Sequence, residues 1–175
     1  HYPLRRQRQM CIRDRPCSDR CRDSVVFLMD QVRLRRSETG DILKMMDIER
    51  LCFSLPWHEE TFMEIINDES AWNRTAWYGD DIAGYLVSLS GEKMVHLLNL
   101  AVHPKFQRKG IARSMLEEMI SFASQWNKSY VFLEVRKSNA PAQALYASLD
   151  FSHACTWHRY YAETGEDACV MVKKL

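Results

Sequence analysis

Apolar and polar positions along the chain fall into blocks of two periods, and the switching between them outlines an α/β domain. Val32-Arg33-Leu34-Arg35 alternates with a period of two and predicts a short strand. Ser37 and Thr39 then offer N-caps to a helix whose apolar positions Ile42, Leu43, Met46, Ile48, Leu51 and Cys52 follow roughly a 3.6-residue period, with Pro56 as its stop. A second short helix is expected over His58–Asn67, with Phe62, Ile65 and Ile66 facing inward. Thr75–Tyr78 and Ile82–Leu89 read as strands on either side of Gly79-Asp80, which is turn chemistry for a hairpin and makes the pair antiparallel.

After a turn at Gly91-Glu92-Lys93, Val95–Val102 is a long apolar run of the kind buried on both faces of a sheet, closed by Pro104. A helix over Gly110–Trp126 places Ile111, Met115, Met119, Phe122 and Trp126 on one stripe. Tyr130–Val135 is the next strand. The order strand, helix, strand from Val95 to Val135 predicts a parallel pair joined by a right-handed crossover. Asn139-Ala140-Pro141 caps and starts a helix to Leu149, and two strands flanking the Thr164-Gly165 turn end near Val172. The expected fold is a mixed, mostly antiparallel sheet with a central splayed parallel strand pair and helices on both faces.

Composition refines this. With 175 residues, 46% of them hydrophobic, the chain suits one globular core. The net charge of +1 hides two unlike pieces: His1–Leu28 carries seven arginines and three aspartates, or +4, and the rest carries 17 Lys+Arg against 20 Asp+Glu, or −3. Residues 1–28 show no periodicity before Val25 and bury no face, so they are expected to be a disordered basic leader, with 29–175 as the domain. Met10-Cys11-Ile12-Arg13-Asp14-Arg15 is similar to translated adaptor sequence, which makes the leader non-native and Met29 the expected start. The arginines as an RNA-binding arm are the competing reading; no direct nucleic-acid binding is expected. No apolar run approaches a membrane span or a secretory signal, so the expectation is a cytoplasmic protein without membrane contact. Cys52, Cys155 and Cys169 sit among apolar neighbours and read as buried reduced thiols, while Cys11, Cys17 and Cys21 lack the paired spacing of a zinc site. No metal is expected.

The chemistry concentrates where the buried strand feeds a loop that opens a helix, Leu98 through Ala112. Unpaired N–H groups and the positive dipole end at a helix N-terminus suit a phosphate, Gly110 permits close backbone approach, and Arg108 and Lys109 add charge. Glu134 is an acid inside the apolar strand Val131-Phe132-Leu133-Glu134-Val135, where an uncompensated carboxylate is costly; it faces a cleft or has a partner.

Gln107-Arg108-Lys109-Gly110-Ile111-Ala112 resembles the pyrophosphate loop of the GNAT superfamily of acetyl-CoA-dependent acetyltransferases, with Ala112 in place of the second glycine. Leu133-Glu134-Val135-Arg136-Lys137-Ser138-Asn139, Ala144-Leu145-Tyr146, Phe151, Arg159-Tyr160-Tyr161, Glu166-Asp167-Ala168 and Phe53-Ser54-Leu55-Pro56-Trp57 are similar to the ribosomal-protein alanine N-acetyltransferase branch. The resemblance covers about Val32–Val172, and Asp150 stands where that family has glycine. It implies acetyl-CoA as co-substrate and no metal. Leu100, Ala101 and Val102 would pair with the pantetheine arm, Gln107, Arg108, Lys109, Gly110, Ile111, Ala112 and Arg113 would hold the pyrophosphate, and Asn139 the arm near the thiol. Glu134 would be the general base, Tyr146 the acid that protonates the coenzyme A sulfur, and Phe53, Trp57, Tyr160 and Tyr161 the acceptor groove. The implied reaction is direct transfer, in a ternary complex, to the N-terminal α-amine of a protein, a ribosomal protein beginning with alanine, by a monomer. The alternatives are an acetyltransferase for lysine side chains or small amines, and a catalytically silent acetyl-CoA-binding module.

Overall fold

The computed structural model describes residues 32–175; the reading of 1–28 as a leader falls on residues outside them. The element order is β1 (Val32–Arg35), a 3-10 turn, α1 (Ile42–Cys52), α2 (Glu59–Asn67), β2 (Ala71–Tyr78), β3 (Asp81–Ser90), β4 (Met94–Val102), a second 3-10 turn (Pro104–Phe106), α3 (Ile111–Gln125), β5 (Tyr130–Arg136), α4 (Ala140–Ala147), β6 (Ser152–Tyr161) and β7 (Glu166–Lys174). Seven strands form one sheet in the order β1-β2-β3-β4-β5-β7-β6. Every neighbouring pair is antiparallel except β4 and β5, joined through α3 as a strand–helix–strand crossover.

Two cores lie on opposite faces. α3 and α4 cover one, where Leu97, Leu100 and Val102 of β4 meet Ile111, Met115 and Met119 of α3 and Tyr146 of α4. α1 and α2 cover the other, packing Met45, Ile48, Phe62 and Ile65 on Tyr85, Val87, Leu98 and Ala101. Burial of such side chains stabilises by about 1.5–3 kcal/mol each. That exceeds what helix propensity supplies, so tertiary packing holds these helices in place.

Several local expectations are corrected. Leu43 and Leu51 are exposed, and Met45 and Glu49 take the inward positions on α1, because Asn99 meets the Glu49 carboxylate inside. A 3-10 turn, Thr39–Asp41, precedes α1, so neither Ser37 nor Thr39 is its N-cap. Asp41 accepts from the Glu38 N–H at 3.0 Å and pairs with Arg35 at 2.7 Å. Trp126, placed on the buried stripe of α3, is 66% exposed because the helix has ended before it. Cys155 is exposed on the edge strand β6, whereas Cys52 and Cys169 are buried. Asp150 has φ +65° as the helix exit requires. Its strain of about 1–2 kcal/mol is small beside the burial of Leu149 and Phe151 on either side.

Candidate active site

The site is built by the failure of β4 and β5 to stay together. Their parallel register runs from Met94↔Tyr130 to Leu97↔Leu133 and stops. Beyond it β4 remains with β3, and β5 from Glu134 to Arg136 remains with β7, so the two strands diverge. The edge of Leu98–Val102 that would have faced β5 therefore carries backbone groups with no partner on that strand. β4 also bulges here: Val87 pairs with Asn99 and Ser88 with Leu97, leaving Leu98 as the extra residue. Both Leu98 and Asn99 turn toward the α1–α2 face. Leu100, Ala101 and Val102 have buried side chains, so their backbone is what they offer the cleft.

Following β4, Arg108 (φ +63°) and Gly110 (φ +85°) adopt left-handed conformations around the start of α3. Left-handed residues this close together, immediately before a helix N-terminus, suit the binding of an anion by backbone N–H groups. A cleft of about 350 Å³ opens there, lined by Val102, Gln107, Arg108, Gly110, Ile111, Ala112 and Arg113 together with Pro141, Ala144 and Ser148 of the α4 region. Gln107 also ties the loop to the strand, its Nε2 donating to the Val102 carbonyl at 2.9 Å. Lys109 folds back to donate to the Lys105 carbonyl at 3.0 Å and is not among the lining residues. Nor is Asn139, whose Oδ1 caps α4 by accepting from Ala142 N–H at 3.0 Å. The lining residues of α4 escaped the sequence reading because Pro, Ala and Ser on a short helix carry no chemical signature.

Glu134 sits at the point of divergence with its side chain 1% exposed. Its Oε2 lies 2.8 Å from His96 Nε2, and the imidazole stacks on Phe132 with ring centroids 4.0 Å apart. The contact is a hydrogen bond when the imidazole is neutral and an ion pair when it is protonated. Sequence reasoning missed His96. Its signal was the same as that of Glu134, a polar residue inside an apolar strand, but only the parallel register His96↔Phe132 brings the two together.

Tyr146 lies on α4, packed on Phe151 with ring centroids 5.9 Å apart. Burial raises its pKa above the ordinary tyrosine value, so the phenol stays protonated and is a proton donor at neutral pH.

The aromatic residues nominated for an acceptor groove occupy different settings. Trp57 is 7% exposed and packs inward on Phe62, centroids 5.4 Å apart. Phe53, the C-cap of α1, is half-buried at the edge of the same core. Tyr160 stands half-buried in edge-to-face contact with Tyr161 at 5.2 Å. Tyr161 is buried beneath the Arg136 guanidinium, 3.9 Å from its ring centroid. Arg136 continues to the β6–β7 turn, donating to Thr164 Oγ1 at 2.9 Å and pairing with Glu163 at 2.6 Å and Glu166 at 3.2 Å. Burial pushes the Glu166 carboxyl up, but Ser138 and Arg136 outweigh it and the net shift is downward. Glu166 therefore stays ionised and keeps this turn fastened to the end of β5.

Among the described residues no helix is long and apolar enough to cross a membrane, and no His, Cys, Asp and Glu cluster is arranged to hold a metal ion. The profile of the acetyltransferase (GNAT) family matches residues 42–151. The chain is 35% identical over 136 residues to the [ribosomal protein bS18]-alanine N-acetyltransferase of Escherichia coli strain K12, covering 77% of this chain and 91% of that one. It is 32% identical over 155 residues to an N-alpha-acetyltransferase of Saccharolobus solfataricus, covering 81% and 92%. The crystal structure of the ribosomal-protein-S18-alanine N-acetyltransferase from Escherichia coli superimposes with a TM-score of 0.77 at 32% identity, covering 82% of this chain and 93% of that one.

Proposed function

This chain belongs to the acetyltransferase (GNAT) family, as an acetyl-CoA-dependent N-acetyltransferase, and we propose that its acceptor is the N-terminal α-amine of a protein, specifically a ribosomal protein beginning with alanine. The observation that carries the proposal is the buried Glu134 carboxylate held by His96 at 2.8 Å where β4 and β5 part. The names of the bacterial relatives add the acceptor class. In this reading a cytoplasmic monomer spanning residues 29–175 carries the activity.

The open edge of Leu100–Val102 pairs with the pantetheine arm, and the loop Gln107–Arg113 holds the pyrophosphate. Asn139 caps α4 beside the arm. Glu134 accepts the proton of the α-ammonium, directly or through a water, and His96 orients the carboxylate. The amine nitrogen attacks the thioester carbonyl, a backbone N–H of the splayed strand stabilises the oxyanion, and the carbon–sulfur bond breaks as the intermediate collapses. Tyr146 protonates the departing thiolate. Phe53 and Tyr160 contact the acceptor peptide, while Trp57 and Tyr161 shape its groove from within. An α-amine has a pKa near 8 against about 10.4 for lysine, a difference worth about 3.3 kcal/mol of deprotonation, so one carboxylate suffices as base.

Incubating the protein with labelled acetyl-CoA and a ribosomal-protein fraction, then locating the label by mass spectrometry, tests this. Label on an N-terminal alanine is expected; label confined to lysine side chains overturns the acceptor assignment, and no transfer to any amine overturns catalysis.

A further inference from the structure

The splayed segment of β4 is gripped at both ends by one turn of α1. Asn99 donates from its amide to the Glu49 carboxylate, and the Cys52 thiol donates to the Val102 carbonyl at 3.4 Å. Glu49 and Cys52 are three residues apart on the helix, which places them one above the other on the same face. Asn99 and Val102 are likewise three apart on the strand, and they bound the stretch whose β5-facing edge is open. Glu49 and Asn99 are wholly buried, and the hydroxyl of Tyr85 on β3 lies against both. Asn99 adjoins the bulge at Leu98, where strand pairing fixes backbone orientation least. A buried carboxylate on a helix is costly unless its partners are rigid. Here the partner is the polar side chain that the bulge turns toward α1 beside Leu98. The C-terminal end of α1 leads without interruption into Phe53 and the loop on the acceptor side.

We propose that Glu49 is a positioning residue: through Asn99, with Cys52 holding the other end, it fixes the backbone amides of the splayed β4 segment at the acetyl-thioester carbonyl. Glu49 does not touch the reacting atoms. It rests on the assignment of the open β4 edge to acetyl-CoA, and it is independent of which amine accepts the acetyl group.

The test uses Glu49→Leu, which removes the acceptor for Asn99, Asn99→Ala, which removes the donor, and Glu49→Gln, which still accepts a hydrogen bond. Two readouts are compared: kcat per folded molecule with whichever amine the wild type acetylates, and the 13C resonance of carbonyl-labelled acetyl-CoA bound without acceptor. Glu49→Leu and Asn99→Ala should each lose about 10- to 100-fold in kcat, as small misplacements of reacting groups do. Their acetyl-CoA affinity should stay within about threefold of the wild type. Their bound carbonyl resonance should move toward that of free acetyl-CoA, whereas Glu49→Gln should stay near the wild type in both readouts. The double variant should lose no more than either single one. If the folded variants keep wild-type kcat and an unshifted carbonyl resonance while only their melting temperatures fall, Glu49 is a packing element and the inference is overturned. Should Glu49→Leu not fold, Asn99→Ala decides by the same criteria. The carbonyl readout needs no acceptor, so failure of the α-amine assignment leaves this test standing.

Discussion

His96 and Glu134, 38 residues apart in the chain, place imidazole Nε2 and carboxylate Oε2 2.8 Å apart across the end of the parallel ladder, Glu134 being the first β5 residue beyond it. The geometry leaves Glu134 buried yet oriented, which a base needs for a directed proton transfer. Glu134→Gln keeps the shape and cannot take a proton, so kcat should fall by roughly 10²–10⁴-fold with acetyl-CoA affinity retained. His96→Phe should cost less in kcat, with acetyl-CoA affinity retained. Unchanged kcat in the folded variant removes His96 from the mechanism.

Gly110 has φ +85° at the start of α3. Gly110→Asp adds left-handed strain of about 1–2 kcal/mol and a negative charge where the pyrophosphate is expected. Acetyl-CoA binding by calorimetry should be lost while circular dichroism shows the fold intact. Undiminished affinity in the folded variant moves the cofactor phosphates elsewhere.

Tyr146→Phe removes only the hydroxyl from a ring packed on Phe151. If that phenol protonates the leaving thiolate, kcat falls while affinity for acetyl-CoA and the melting temperature hold, and an acyl donor with a more acidic leaving thiol recovers part of the rate. A structural hydrogen bond would instead show as about 1–3 kcal/mol of lost stability at unchanged turnover per folded molecule.

Gly84 on β3 lies against β4: a Cβ built there would stand 2.8 Å from the Ala101 carbonyl oxygen and 3.2 Å from Met115 Cε and Val102 Cγ2. The methionine end yields, but the backbone oxygen does not. Gly84→Ala should destabilise the fold by about 1–3 kcal/mol in denaturant titrations and weaken acetyl-CoA binding as β4 shifts. Wild-type stability and affinity would mean that the two strands separate freely.

Tyr85, Tyr146 and Tyr161 all have raised pKa values with burial as the main cause. Each therefore favours the folded state fully below the ordinary tyrosine value of about 10. That contribution is lost as pH rises beyond it, because the unfolded chain releases these protons first. Urea midpoints should hold up to about pH 10 and fall steeply above it, and Tyr85→Phe should flatten the fall. A midpoint independent of pH through that range contradicts the burial of these hydroxyls.

The sequence by itself determined the order and type of the elements, since the two hydrophobic periods are local and each strand and helix carries its own. It also pointed to Gly110, Asn139 and Glu134: a glycine at a helix start, an N-cap and an acid in an apolar strand are each read within a few residues. Tertiary structure decided what no local pattern encodes. Which residue meets Glu134, how far β4 and β5 run together, and why Glu49 rather than Leu51 faces inward depend on register and on a bulge. Those are set by the packing of strands and helices distant in sequence, where one residue of slip turns a side chain to the other face. The same physics separates the aromatic candidates. Trp57 and Tyr161 are placed inside by Phe62 and Arg136, contacts that exist only once α2 and the β5 end have been brought against them.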